Sequence, residues 1–158
     1  MPFALRSTLE IAAPVDSVWE VICDLDRYGE WNPFVVGACS SLVVGEPISM
    51  RVRLLPFLVQ SQTETILTHV PLRSLCYGVT SAPLGSVRSR RCHELRALSQ
   101  LRTAYRSEFE LEGWLAPVVR GLLGRRMALG FEAATAALGR RSEQLYRDGR
   151  ATAPSHSG

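Results

Sequence analysis

His93, Tyr77 and Tyr105 are the side chains of this sequence best suited to moving a proton: an imidazole titrates near neutrality, and a phenol offers a hydroxyl without the cost of a buried charge. Each sits in a stretch that alternates apolar and polar residues. His93 shares its parity with Arg91 and Leu95, Tyr77 with Leu75 and Val79, and Tyr105 with Ser107 and Phe109, so all three point to the apolar side of their strands. Hydroxyls and an imidazole placed this way can polarise a carbonyl or relay a proton. Trp31, Phe34, Met50, Met127 and Phe131, joined by Arg91, Ser107 and Phe109, would complete a wall that is mostly apolar and aromatic, the composition of a small-molecule cavity. Each also has a plainer reading: aromatic and methionine side chains as core, His93 as a hydrogen-bonded structural imidazole. Arg91 is expected at the cavity mouth, because an unpaired guanidinium inside is costly. The stretch Gln60 to Val70 lacks a clean alternation, so the direction of Glu64 is left open.

Other chemistries lack their residues. There is no G-x-S-x-G, no H-E-x-x-H and no glycine loop to cradle a phosphate, and one of the three histidines lies near the end of the chain. Neither a metal nor a cofactor is expected. Cys23, Cys39, Cys76 and Cys92 follow one another at 16, 37 and 16 residues, without a C-x-x-C pair, and read as buried free thiols. All 18 basic residues are arginine against 15 acids, a net charge of +3 too balanced and interspersed for a nucleic-acid footprint. No apolar run approaches the roughly 20 residues of a membrane span, and the N-terminus lacks a basic, cleavable leader. No nucleic acid, no membrane insertion and a cytoplasmic location are therefore expected.

The elements that must position these residues follow from periodicity. Phe3 to Ile11 alternates as a strand with one wet face; Val15, Val18, Trp19, Ile22 and Cys23 form one helical stripe with Pro14 in its first turn. After Asp24 and Asp26, Tyr28-Gly29 breaks the chain, and Asn32-Pro33 forces an extended exit. Three hairpins follow: Phe34–Val44 with Ile48–Leu54, Gln60–Val70 with Leu75–Val79, and Arg88–Leu98 with Leu101–Glu112. From Trp114 to Leu145 the period becomes helical, and Gly121, Gly124 and Gly130 within it predict a bend or a close approach to the sheet. One domain over residues 1–147 and a disordered tail over 148–158 are expected.

The string Ala13-Pro14, Val18-Trp19, Asp24, Tyr28, Trp31-Asn32-Pro33-Phe34 resembles the signature of the START-like helix-grip superfamily (SRPBCC), in its polyketide cyclase/dehydrase branch. The resemblance implies an α+β fold: a curved antiparallel sheet of about seven strands gripping a long C-terminal helix, with two short helices after strand 1 and a cavity between sheet and helix. Relatives often carry E-x-F-x-G-x-L-x-P before the long helix. Gly113, Leu115 and Pro117 match it, but Phe109 and Leu111 stand where the acid and the aromatic would be, which argues against an acid-dependent mechanism. Two functions stay open: a cofactor-independent cyclase of secondary metabolism acting on a polyketide-like or polycyclic molecule, and a non-catalytic carrier, lipid-binding or self-resistance protein. The expected partner is a hydrophobic small molecule, bound by a monomer or homodimer.

Overall fold

The computed structural model describes residues 2–152. Strand β1 (Phe3–Ile11) leads into helix α1 (Val15–Cys23), a single 3-10 turn (Leu25–Arg27) and the short helix α2 (Tyr28–Trp31). Then come β2 (Val35–Ser40), β3 (Pro47–Leu55), β4 (Leu58–Val70), β5 (Ser74–Gly78), β6 (Arg88–Ser99), β7 (Arg102–Glu112) and the long helix α3 (Ala116–Thr152). The seven strands form one curved antiparallel sheet in the order β1-β7-β6-β5-β4-β3-β2. Period-two patterning made this possible: along β3 the inward Ile48, Met50 and Val52 are buried while Ser49, Arg51 and Arg53 are exposed. The core joins Ile11, Val18, Ile22, Tyr28, Ile48, Leu75, Tyr105 and Leu138, so that α1, the sheet and the C-terminal half of α3 share one apolar interior.

Several expectations are corrected. Pro14 flanks α1 rather than entering its first turn; its ψ of 152° is extended and its carbonyl accepts from the N–H groups of Ser17 and Val18. Helix α3 runs to Thr152, beyond the stripe read to Leu145, and residues 153–158 of the expected tail lie outside the described residues. Cys76 and Cys92 are not free thiols. They face each other across β5 and β6 with Cα atoms 4.2 Å apart and form a disulfide, a pairing set by strand register that spacing along the chain cannot reveal. Cys39, also expected buried, is exposed, and Cys23 is half-buried.

The WNPF exit is held by Asn32. Its Oδ1 accepts from the N–H groups of Phe34 and Val35, both at 2.9 Å, with the residue itself 8% exposed. This cap turns the chain out of α2 and sets Phe34 against α3. Replacing Asn32 by Ala orphans both donors and is expected to cost about 2 kcal/mol in urea unfolding, whereas Asn32→Asp keeps the acceptor and most of the stability.

Gly130 makes the opposing contact. A Cβ there would sit 2.4 Å from the Phe34 ring, while one at Gly121 would meet nothing. The close approach at Gly130 is thus to Phe34 of the exit before β2 rather than to the sheet, which a Cβ at Gly124 would meet only at an ordinary 3.6 Å from Phe3. Gly130→Ala should displace Phe34 and cost about 1 kcal/mol or more net of the gain in helix propensity, read by the same unfolding, with weaker dye binding in the cavity.

Candidate functional site

Between α3 and the concave face of the sheet lies a cavity of about 320 Å³, within the range that holds a small organic ligand. Its floor is Tyr28, Asn32 and Phe34, its sheet wall includes Met50, Val52, Tyr77, Arg91, His93 and Phe109, and Leu123, Met127, Phe131 and Ala134 line it from α3. Trp31, Tyr105 and Ser107 do not line it. Trp31 packs edge-on against Tyr28 with ring centres 5.0 Å apart, and Tyr105 and Ser107 are fully buried farther along the inner face of β7.

Strand register assembles the polar groups. Arg91 and His93 follow one another on the inner face of β6, opposite Tyr77 and Leu75 on β5 and opposite Phe109 and Ser107 on β7. His93 consequently lies between two phenols: its Nδ1 is 2.7 Å from the Tyr105 hydroxyl and its Nε2 3.3 Å from that of Tyr77. Burial, reinforced by the Arg91 charge, holds the imidazole pKa well below its usual range, so the ring is neutral at pH 7. A neutral imidazole has one donor and one acceptor, so one tyrosine donates to the ring and the other accepts from it. Burial also raises the phenols, Tyr77 to about 12, and keeps them protonated. Both ring nitrogens are thus engaged by the protein, and of the two phenols only that of Tyr77 lines the cavity.

Arg91 stands inside the cavity rather than at its mouth. Its guanidinium carbon lies 4.2 Å from the centre of the Phe131 ring, a cation–π contact that offsets part of the cost of bringing the charge inside. Its Nη1 is buried and has no hydrogen-bond partner. A buried donor without a partner is rare in folded proteins, where such groups are nearly always paired. The second orphan, Ser107 Oγ, lies beside Tyr105, near enough to lower that phenol's pKa but without hydrogen-bond geometry.

The residue that sequence reasoning left undirected is Glu64. It pairs with Ile48 in the β3–β4 register, points inward and is 7% exposed. Gln62 Nε2 donates to its Oε1 at 2.6 Å. Burial raises its carboxyl to about 7, against smaller lowering effects of the Gln62 hydrogen bond and the Arg91 charge. The acid missing from the motif before α3 therefore has a counterpart on β4, so the cavity does contain a titratable acid. Glu108 and Glu110 stay on the outer face, paired with Arg6. Among the described residues no group of three or more His, Cys, Asp and Glu could hold a metal ion, and no helix is long and apolar enough to cross a membrane.

A curved sheet wrapped on a long helix around an apolar cavity defines a helix-grip protein with an internal site. The model of the family described as polyketide cyclase/dehydrase and lipid transport matches residues 2–143, and the chain belongs to that family, within the START-like superfamily. No functionally curated protein matches. The chain is similar in fold to the Zhui aromatase/cyclase from Streptomyces sp. R1128, at 18% identity over 94% of this chain and 99% of that one, with a TM-score of 0.74. It is also similar to a START superfamily protein from Mycobacterium smegmatis, at 18% identity over 90% and 98% of the two chains, with a TM-score of 0.68. Norcoclaurine synthase from Thalictrum flavum, solved with dopamine and hydroxybenzaldehyde, shares 12% identity over 89% and 86%, with a TM-score of 0.64. At these identities the likeness is one of fold.

Proposed function

We propose that the cavity binds an apolar, carbonyl-bearing molecule of polycyclic or polyketide-like kind and promotes carbon–carbon ring closure through its enolate. The observation that carries this reading is the pairing, in one apolar cavity, of an orphan guanidinium donor on Arg91 with a carboxyl that titrates at about 7 on Glu64. Ionised Glu64 takes a proton from the carbon beside a carbonyl, and the electron pair moves onto the carbonyl oxygen, where Arg91 stabilises the charge. The enolate carbon then bonds to a second carbonyl of the same chain, whose oxygen recovers the proton from Glu64. Walls that hold a flexible chain in the folded shape supply the rest, since pre-paid orientation is worth roughly 7 to 11 kcal/mol. Tyr77, backed by His93 and Tyr105, offers a neutral hydroxyl to a second oxygen.

The test uses 2-tetralone, a bicyclic aromatic ketone of suitable size, in heavy water. Exchange of its α-protons for deuterium, followed by NMR, is expected to accelerate with enzyme, to rise with pH through about 7, and to fall roughly 100-fold or more in Glu64→Gln. The carrier reading is favoured by one observation: both nitrogens of His93 are already bonded within the protein. Under that reading 2-tetralone displaces an apolar dye from the cavity one-to-one but exchanges no faster than in buffer.

A further inference from the structure

We propose that the open end of the cavity is a docking surface for an anionic lipid bilayer, on which the protein rests by its rim without spanning the membrane. Burial falls from Tyr77, His93 and Phe131 toward the half-exposed Leu54, Val79, Val87, Val119 and Leu123, which marks this end as the mouth. Three segments surround it: the β3–β4 hairpin, the β5–β6 connection, and the first turns of α3 with the residues before them. The last two are joined, since the Leu115 N–H donates to the Ser86 carbonyl at 3.1 Å.

Each segment presents a large apolar side chain to solvent. Phe57 is 88% exposed, Leu84 94%, Trp114 64% and Leu122 77%, the four highest values among the exposed large hydrophobics of the described residues. Scattered exposed leucines are ordinary, but four such side chains around one opening are not. Leu84 is moreover held at φ 58°, a left-handed conformation costly for leucine, at the tip of its loop.

The charge is segregated in the same way. Residues 51–60, 79–88 and 112–129 contain six arginines, Arg51, Arg53, Arg88, Arg120, Arg125 and Arg126, against the single acid Glu112. The other 12 arginines and 14 acids leave the remainder slightly acidic, so the net charge of +3 comes wholly from the rim segments. All six are exposed, and none forms a salt bridge among the described residues. The balance that argues against an electrostatic footprint along the sequence is thus not a balance on the surface. Exposed tryptophan, leucine and phenylalanine interleaved with arginine match an interface with acyl chains below and anionic headgroups beside them; a phosphate backbone without apolar contacts would use only half of these groups. A bilayer seated there would face the mouth of an apolar cavity directly.

The experiment is co-sedimentation of the full chain with vesicles of phosphatidylcholine alone or with about 30 mol % phosphatidylglycerol. Binding is expected to be at least tenfold tighter to the anionic vesicles and to weaken as salt is raised. The charge reversal Arg120→Glu/Arg125→Glu/Arg126→Glu and the apolar variant Trp114→Ala/Leu122→Asp should each lose at least tenfold. Leu98→Asp/Leu101→Asp, at the β6–β7 hairpin away from the mouth, should bind as the wild type does, and circular dichroism on all variants checks that they fold. Equal binding to both vesicle types, or undiminished binding by the two rim variants, overturns the proposal. So does a wild-type chain that ignores vesicles: a dimer in light scattering that Leu122→Asp breaks would then assign the rim to a second copy of this chain, and a monomer would leave an acidic protein as the occupant. Vesicle binding reads the surface and tetralone exchange reads the interior, so either can fail alone.

Discussion

Replacing Glu64 by Gln is expected to stabilise the protein at pH 8 by up to about 3 kcal/mol, an unusual direction for a change at a buried polar residue. Below pH 4.5 the carboxyl is protonated in both folded and unfolded chains and costs nothing. Between pH 4.5 and about 7 the unfolded chain ionises while the folded one keeps its proton, so stability falls as pH rises. Above about 7 both forms are ionised and the full penalty of a buried carboxylate remains. His93 acts on the other limb: its lowered pKa means that the unfolded chain takes up a proton first, so stability is lost as pH falls below 6.5. Glu64→Gln should therefore abolish the fall between pH 4.5 and about 7 and leave only the loss below pH 6.5 that His93 causes. Urea unfolding from pH 4 to 9 measures both, and a constant difference between variant and wild type across that range would contradict the buried, inward carboxyl.

The second large effect is expected from Arg91→Met, which fills similar space but removes the orphan donor and the positive charge that lowers both Glu64 and His93. Tetralone exchange should fall about 100-fold or more, the loss typical of one oxyanion donor. Its pH midpoint should also move above 7, because Glu64 then ionises without a neighbouring cation. Stability should hold or rise, since an unpaired guanidinium nitrogen no longer lies in an apolar cavity. A variant with lower exchange but an unmoved midpoint would mean that Arg91 and Glu64 do not act on one site.

What the sequence by itself determined is the framework and the facing of its well-patterned strands. Alternation in β3 and β7, the helical stripe of α3 and the WNPF exit are local signals, each carried by residues a few positions apart, and they sufficed to turn Met50, Tyr77, His93 and Phe109 toward one interior. Glu64 was illegible because Gln60 to Thr65 is polar on both parities, so no pattern distinguished its faces until β3 paired with β4 and set it opposite Ile48. Only the tertiary structure decided what depends on register and on packing between distant segments. The Tyr77–His93–Tyr105 relay and the Cys76–Cys92 bond exist because β5, β6 and β7 align at particular residues. Arg91 is inside because Phe131, 40 positions along the chain, supplies a ring for it to cover. Leu54, Val79, Val87, Val119 and Leu123 border one opening because three segments far apart in sequence converge there. Charge and hydrogen-bond energies fall with distance in space, and a linear sequence does not contain those distances.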